Sequence, residues 1–189
     1  MVPSPGGWQS QGSRHSPLSP TCQLDQAWME RLLRRAAQVG ADGEIPVAAV
    51  VLDAQGRAIG WGSNRREHDQ NPLGHAELVA LQQAARLRQD WRFNDCTLLV
   101  TLEPCPMCAG ALVQARMGRV VFGASDAKRG ALGGCLDLAD HPSAHHHMQV
   151  VGGTRAQDCG LQLERWFRQR RQQQQERRNG RPAAPAPEG

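Results

Sequence analysis

The stretch TLLVTLEPCPMCAGALVQARMGRVVFGA, residues 97–124, decides the fold. Its first six residues form an apolar run of strand length, and Pro104 ends it. The segment from Cys105 to about Met117 then reads as a helix, and Arg119 to Ala124 is a second apolar run of strand length. A strand, a helix and a strand in this order make a parallel crossover, which is right-handed for steric reasons.

The same reading extends in both directions. Upstream, residues 75–89 are expected to form a helix that buries Leu78, Val79, Leu81, Ala85 and Leu87. Residues 45–52 are almost continuously apolar, as a strand covered on both faces would be. The turn Asp53-Ala54-Gln55-Gly56 leads into a second strand over residues 57–63, making a hairpin. An earlier helix starts near Asp25, where Trp28, Leu32 and Ala36 recur at four-residue steps until Gly40 and Gly43 stop it. Downstream, residues 126–147 read as a loop with one short helix, residues 149–152 as a last strand, and residues 155–171 as a long helix carrying Leu161, Leu163, Trp166 and Phe167. The expected fold is α/β: a three-layer α-β-α domain over residues 24–171, with a five-stranded mixed sheet. Residues 1–23 and 172–189 have compositions too polar or too rich in Pro to offset chain ordering and are expected to be disordered.

Charge is distributed unevenly. The net charge is +4, yet the seven arginines between Leu161 and Arg181 face only Glu164 and Glu176, and the remaining chain carries 15 basic against 16 acidic residues. A neutral body with a basic C-terminal arm suits a polyanionic partner, although a solvated helix face has the same composition. No apolar run approaches the ~20 residues of a membrane helix. The six cysteines lack the spacing of a disulfide framework, and no secretory signal opens the chain, so a reducing, cytoplasmic setting is expected.

Chemistry concentrates in two short motifs, His75-Ala76-Glu77 and Pro104-Cys105-Pro106-Met107-Cys108, each at the expected start of a helix. Cys105 and Cys108 lie three apart on one face of a helical first turn, where the orphan N–H groups and the dipole stabilise thiolates. With His75 they make the ligand set of a catalytic zinc site: three protein ligands leave one tetrahedral position open to water. Glu77 is a spare carboxylate two residues from a ligand, suited to carry protons as a general acid and base. Taken singly, a C-x-x-C can be a structural knuckle or redox pair, and Glu77 an ordinary first-turn acid; the combination points to catalysis.

H-x-E followed by P-C-x-x-C is the zinc nucleobase deaminase signature. Together with Gly62-Ser63-Asn64-Arg65, Thr101-Leu102-Glu103, Arg119-Val120-Val121-Phe122-Gly123-Ala124 and Asp126-Ala127-Lys128, it makes residues 25–171 resemble the bacterial tRNA-specific adenosine deaminases of the cytidine/deoxycytidylate deaminase superfamily. The resemblance implies hydrolysis of the wobble adenosine of a tRNA anticodon to inosine, by a homodimer with one zinc per subunit. It implies that His75, Cys105 and Cys108 hold the zinc and that Glu77 is the catalytic proton shuttle. It further implies that Asn64 contacts the flipped base, that Asp126 lies near the ribose, and that Trp166, Phe167 and Arg168 meet the anticodon loop. The sequence departs from the family at Ser125, where arginine is expected, and in the run His145-His146-His147.

Two other functions fit the same core. A deaminase of a free nucleobase or nucleotide, of guanine or pyrimidine type, would share the zinc site and differ in its surrounding loops. A zinc-stabilised RNA-binding module would have no use for Glu77. Several residues also have a structural reading: Asn64 as a turn residue, Asp126 as a cap, Trp166 or Phe167 as core, and the three histidines as a plain loop. Glu103 either orients the backbone beside the motif or joins a buried pair.

Overall fold

The computed structural model describes residues 19–179. The first helix, α1, spans Pro20–Ala41. It begins before the expected boundary because Ser19 caps it, accepting from the Cys22 N–H at 3.2 Å, while Pro20 occupies the first turn. The extensions at residues 1–18 and 180–189 lie outside the described residues.

Two antiparallel strands follow, β1 (Ala48–Leu52) and β2 (Ala58–Ser63), joined through the turn at Asp53. The Asp53 carboxylate accepts from the backbone N–H groups of Gln55 and Arg57, both at 2.9 Å. After α2 (Ala76–Arg88) come β3 (Thr97–Leu102), α3 (Pro106–Gln114) and β4 (Arg119–Ala124), the crossover read from the sequence. A short β5 (Gln149–Val151) and α4 (Ala156–Asn179) complete the order. The sheet runs β2-β1-β3-β4-β5; β1 is antiparallel to both its neighbours, and the β3–β4 and β4–β5 pairs are parallel.

Strand periodicity divides the core into two layers. Ala49, Val51, Leu98, Val100, Val120 and Phe122 pack with residues of α2 and α3 on one face. Ala48, Val50, Leu52, Leu99 and Val121 pack with α1 and Cys159 of α4 on the other. On this second face Arg119 of β4 is tied to α1, donating to both oxygens of the buried Asp25 at 2.9 and 2.5 Å.

Three further local expectations need correction. First, α2 turns Ala76, Ala80 and Ala84 to the sheet instead of its larger residues; Leu78, Val79, Leu81 and Ala85 are half-buried and Leu87 is exposed. The cause is backbone proximity. A Cβ on Gly62 would overlap the Ala76 carbonyl oxygen, and one on Gly60 would overlap that of Ala80. The helix can lie this close to β2 only because both contacting surfaces are Gly and Ala. Second, residues 126–147 contain no helix; turns and one isolated bridge, Leu132–Asp137, occupy the segment. Third, α4 continues through the Gln/Arg tract to Asn179, past residue 171, because Gln and Arg are good helix formers.

Gly62→Ala should therefore cost about 2–3 kcal/mol by overpacking. Gly160→Ala, where nothing lies within 4 Å of the added Cβ, should raise stability by ~0.5–1 kcal/mol through helix propensity. Urea denaturation of the two variants measures both signs.

Candidate metal centre and its cavity

The crossover places the start of α3 at the C-terminal end of β3, and the close packing of α2 on β2 brings its first turn alongside. His75 and Cys105 are the residues immediately preceding these helices, and neither side chain caps its own helix. Both are therefore free to turn towards one point. The Nδ1 of His75 lies 3.7 Å from Cys105 Sγ and 3.6 Å from Cys108 Sγ. All three ligand atoms fall within 4.8 Å of one another, and no other such group occurs among the described residues.

These separations test whether zinc fits. Zinc–nitrogen and zinc–sulfur bonds at a tetrahedral angle set an N···S edge of about 3.6 Å, which matches both contacts. The electrostatics fit as well. The Cys105 thiol is pulled down to about 3, first by its hydrogen bond with Cys108 and further by His75, against the opposing effect of burial. Cys108 is pushed up by the same shared hydrogen bond and by burial, and His75 is raised by its bond to Cys105. By contrast, burial pushes Cys96 up to about 12 and Cys159 up to about 11, as expected of inert core thiols. All six cysteines are free.

Glu77 is buried beside this group. Burial pushes its carboxyl up to about 7, and the Cys105 charge adds to the rise, while His75 and a hydrogen bond with Cys108 oppose it. A carboxyl poised near neutrality can both take and return a proton.

A cavity of about 240 Å³ opens onto the centre, with His75, Glu77 and Cys105 on its floor and Asn64, Asp126 and Phe167 on its walls. The Oδ1 of Asn64 accepts from the Ala76 N–H at 3.2 Å, and its amide nitrogen has no partner among the described residues. The turn role and the cavity role thus coexist in one side chain. Asp126 accepts from the N–H groups of Lys128 and Arg129 at 2.9 and 3.0 Å, capping its own turn at the rim. Trp166 and Phe167 meet edge to face with centroids 5.1 Å apart, but they diverge in use. Trp166 donates from Nε1 to the Gly40 carbonyl at 2.9 Å, outside the cavity, whereas Phe167 lines it. Arg168 is exposed and does not reach the cavity. The three histidines part company too: His146 binds the Met117 carbonyl at 2.8 Å and His147 the Ala139 carbonyl at 3.2 Å.

Sequence reasoning passed over two residues. Arg66 and Arg129 line the cavity; their nearness to Asn64 and Asp126 in the chain was the available signal. Glu103, for which the sequence left open backbone orientation or a buried pair, is buried, has no cationic partner among the described residues and binds backbone instead. Its Oε2 accepts from the Asp126 N–H at 2.9 Å, and its Oε1 accepts from Leu132 at 3.0 Å and Gly134 at 2.8 Å. One carboxylate therefore holds the loop that forms the Asp126 wall.

The chain matches the family model described as the cytidine and deoxycytidylate deaminase zinc-binding region over residues 22–124. It is 40% identical over 151 residues to the tRNA-specific adenosine deaminase of Haemophilus influenzae, covering 80% of this chain and 87% of that protein. It is also 44% identical over 170 residues to the tRNA(Ile)-lysidine synthase of Deinococcus deserti, covering 89% of this chain but only 31% of that longer protein. Among solved structures, a chain from a study of A-to-I editing by tRNA:A34 deaminases at the wobble position of transfer RNA superposes with a TM-score of 0.69. That pair is 32% identical, covering 72% of this chain and 98% of the other.

Two measurements bear on the site. Metal analysis should find about one zinc per chain, lost in Cys108→Ala because two remaining ligands no longer close the site. Glu103→Gln keeps the shape but turns an amide donor towards backbone N–H groups, so it should destabilise by about 2 kcal/mol while retaining zinc.

Proposed function

Because this chain belongs to the cytidine and deoxycytidylate deaminase family, we propose that it deaminates the wobble adenosine of a tRNA anticodon to inosine. The proposal is supported by the relatives at 32–40% identity that carry that activity in their names. The observation that carries it on this molecule is the cavity mouth. Arg66 and Arg129 line it, Phe167 stands there 41% exposed, and Arg170 and Arg171 continue along the same surface of α4. A free nucleobase has no phosphate to engage these cations. A loop nucleotide has phosphates on both sides, and its splayed base can stack on an aromatic ring.

Zinc held by His75, Cys105 and Cys108 would supply the Lewis acidity that makes water a nucleophile at neutral pH. The protein's own groups do the rest. The small, walled cavity holds the flipped adenine so that its C6 faces the centre. Asn64 presents its free amide nitrogen to an acceptor on the ring. Glu77 takes a proton from the attacking water and delivers it to the ring nitrogen beside C6. It then relays the remaining proton, from the oxygen now bonded to C6, to the amine, and the C6–N bond breaks to release ammonia and leave the C6 carbonyl. Phe167 covers the base, and the α4 arginines supply backbone affinity that weakens with salt. The protein works in the cytoplasm as a homodimer, where its substrate resides and its thiolates stay reduced. Light scattering at twice 20.7 kDa would accord with the dimer.

Purified protein should form inosine in an anticodon stem-loop and leave free adenosine, guanine and cytidine untouched. Activity confined to the free bases or nucleosides would overturn the reading. Glu77→Gln should lower the rate by roughly 10²–10⁴-fold with zinc content and RNA binding preserved; mass spectrometry of the RNA, metal analysis and filter binding measure the three.

A further inference from the structure

A second concave surface lies outside the cavity, along the free edge of β2, the terminal strand of the sheet. Gln83 of α2 covers part of this edge, accepting from the Trp61 N–H at 2.6 Å. Beside it runs a groove of about 510 Å³ walled by Arg35, Trp61, Ser63, Arg65 and Arg86, with no carboxylate among its lining residues. Arg65 is engaged by Asp69 through two hydrogen bonds of 2.8 and 3.0 Å. The other two guanidinium groups have no acid. Arg86 is exposed and makes no hydrogen bond or ion pair among the described residues. Arg35 lies over the Trp61 ring at 5.6 Å, and its Nε is a buried donor without an acceptor.

A buried donor left unmade is costly, and unopposed guanidinium groups in one groove repel each other. Both costs fall when phosphate oxygens enter, since planar guanidinium forks suit them. Position adds a second argument. Ser63 and Arg65 line the groove, and Asn64 between them lines the catalytic cavity. Ser63, Asn64 and Arg65 also share an intervening depression with Arg170, where Asp42, Glu44 and Glu67 add carboxylates that the groove itself lacks. A strand whose base sits in the cavity thus meets a continuous surface leading along the sheet edge.

We propose that this groove binds the phosphodiester backbone of the stem that adjoins the target loop, with Arg35 and Arg86 as its phosphate contacts. The inference rests on the RNA reading above, and it adds a binding surface remote from the reacting base.

The test uses Arg86→Glu, an exposed position whose substitution does not threaten folding, and Arg35→Gln, which keeps a polar group over Trp61. Each is compared with the wild type on an anticodon stem-loop with its complete stem and on one truncated to a minimal stem. Arg116→Glu, at the end of α3 away from the cavity, controls for net charge. In Arg86→Glu the preference for the complete stem, as a ratio of kcat/KM values, should fall roughly tenfold, and the slope of log affinity against log salt should drop by about one. Arg35→Gln should act in the same direction and Arg116→Glu should change neither. An unaltered ratio and slope in both groove variants overturns the proposal, as does an equal loss on both RNAs, which would place these residues at the cavity. Fluorescence anisotropy with the same RNAs reads the groove independently of turnover. A wild-type protein that binds the stem-loop without deaminating it defeats the reaction proposed above, and the groove is then decided by the affinity comparison alone. A wild-type protein that binds no RNA defeats the groove.

Discussion

Everything chemical in this protein depends on two helix N-termini meeting at the end of β3. A helix start offers unpaired N–H groups and the positive end of its dipole, so a thiol placed there is stabilised as thiolate. One such end would hold Cys105 and Cys108; the third ligand needs the second. The distance between them is set by packing that involves no functional residue. Gly60 and Gly62 let α2 settle onto β2 through Ala76, Ala80 and Ala84, and this lowers His75 to within 3.7 Å of both sulfurs. A larger residue at either glycine would lift the helix and pull the nitrogen ligand away with it.

A second constraint shapes the cavity wall. The connection between β4 and β5 has no helix to order it, so its backbone groups need partners from elsewhere. Glu103 supplies them by accepting three N–H groups with one buried carboxylate. Charge-assisted bonds of this kind offset the cost of burying the charge without a cation. Because Glu103 stands two residues before Cys105, the same strand end that delivers a candidate metal ligand also anchors the Asp126 wall of the cavity. The metal centre and the substrate cavity are thereby built on one rigid element.

Charge then distinguishes the surfaces around the cavity. Two arginines of the C-terminal arm lie beside the cavity, while Arg168, Arg177 and Arg178 are exposed along the helix. Arg170, Arg171 and Gln174 line the same surface as Trp166 and Phe167, adjoining the cavity mouth. Across the Ser63–Arg65 shelf a further arginine groove follows the sheet edge. Glu44 and Glu67 stand among the cations beside α4, whereas the groove at the sheet edge has no carboxylate in its lining, so it is the stretch best suited to a polyanion.

What the sequence alone determined were features that depend on near neighbours. Apolar runs of strand length located β1, β3 and β4, because a strand covered on both faces must be apolar throughout, and the turn at Asp53 located β2. The crossover and the layered α/β class followed from their order. The pairing of Cys105 with Cys108 in the candidate ligand set was legible because three-residue spacing is itself a geometry on a helix. Tertiary structure decided what depends on residues distant in the chain. Periodicity favoured the Leu and Val face of α2, but the glycines of β2 admitted only the alanine face. Nothing local told that Glu103 would find three N–H groups 23 to 31 residues downstream, or that Trp166 would be tied to Gly40 and so leave Phe167 to the cavity. Nor did any spacing reveal that Arg35 and Arg86, 51 positions apart in the chain, would share a groove. Hydrogen bonds and close packing between distant segments are set by how layers stack, and a linear pattern does not record that stacking.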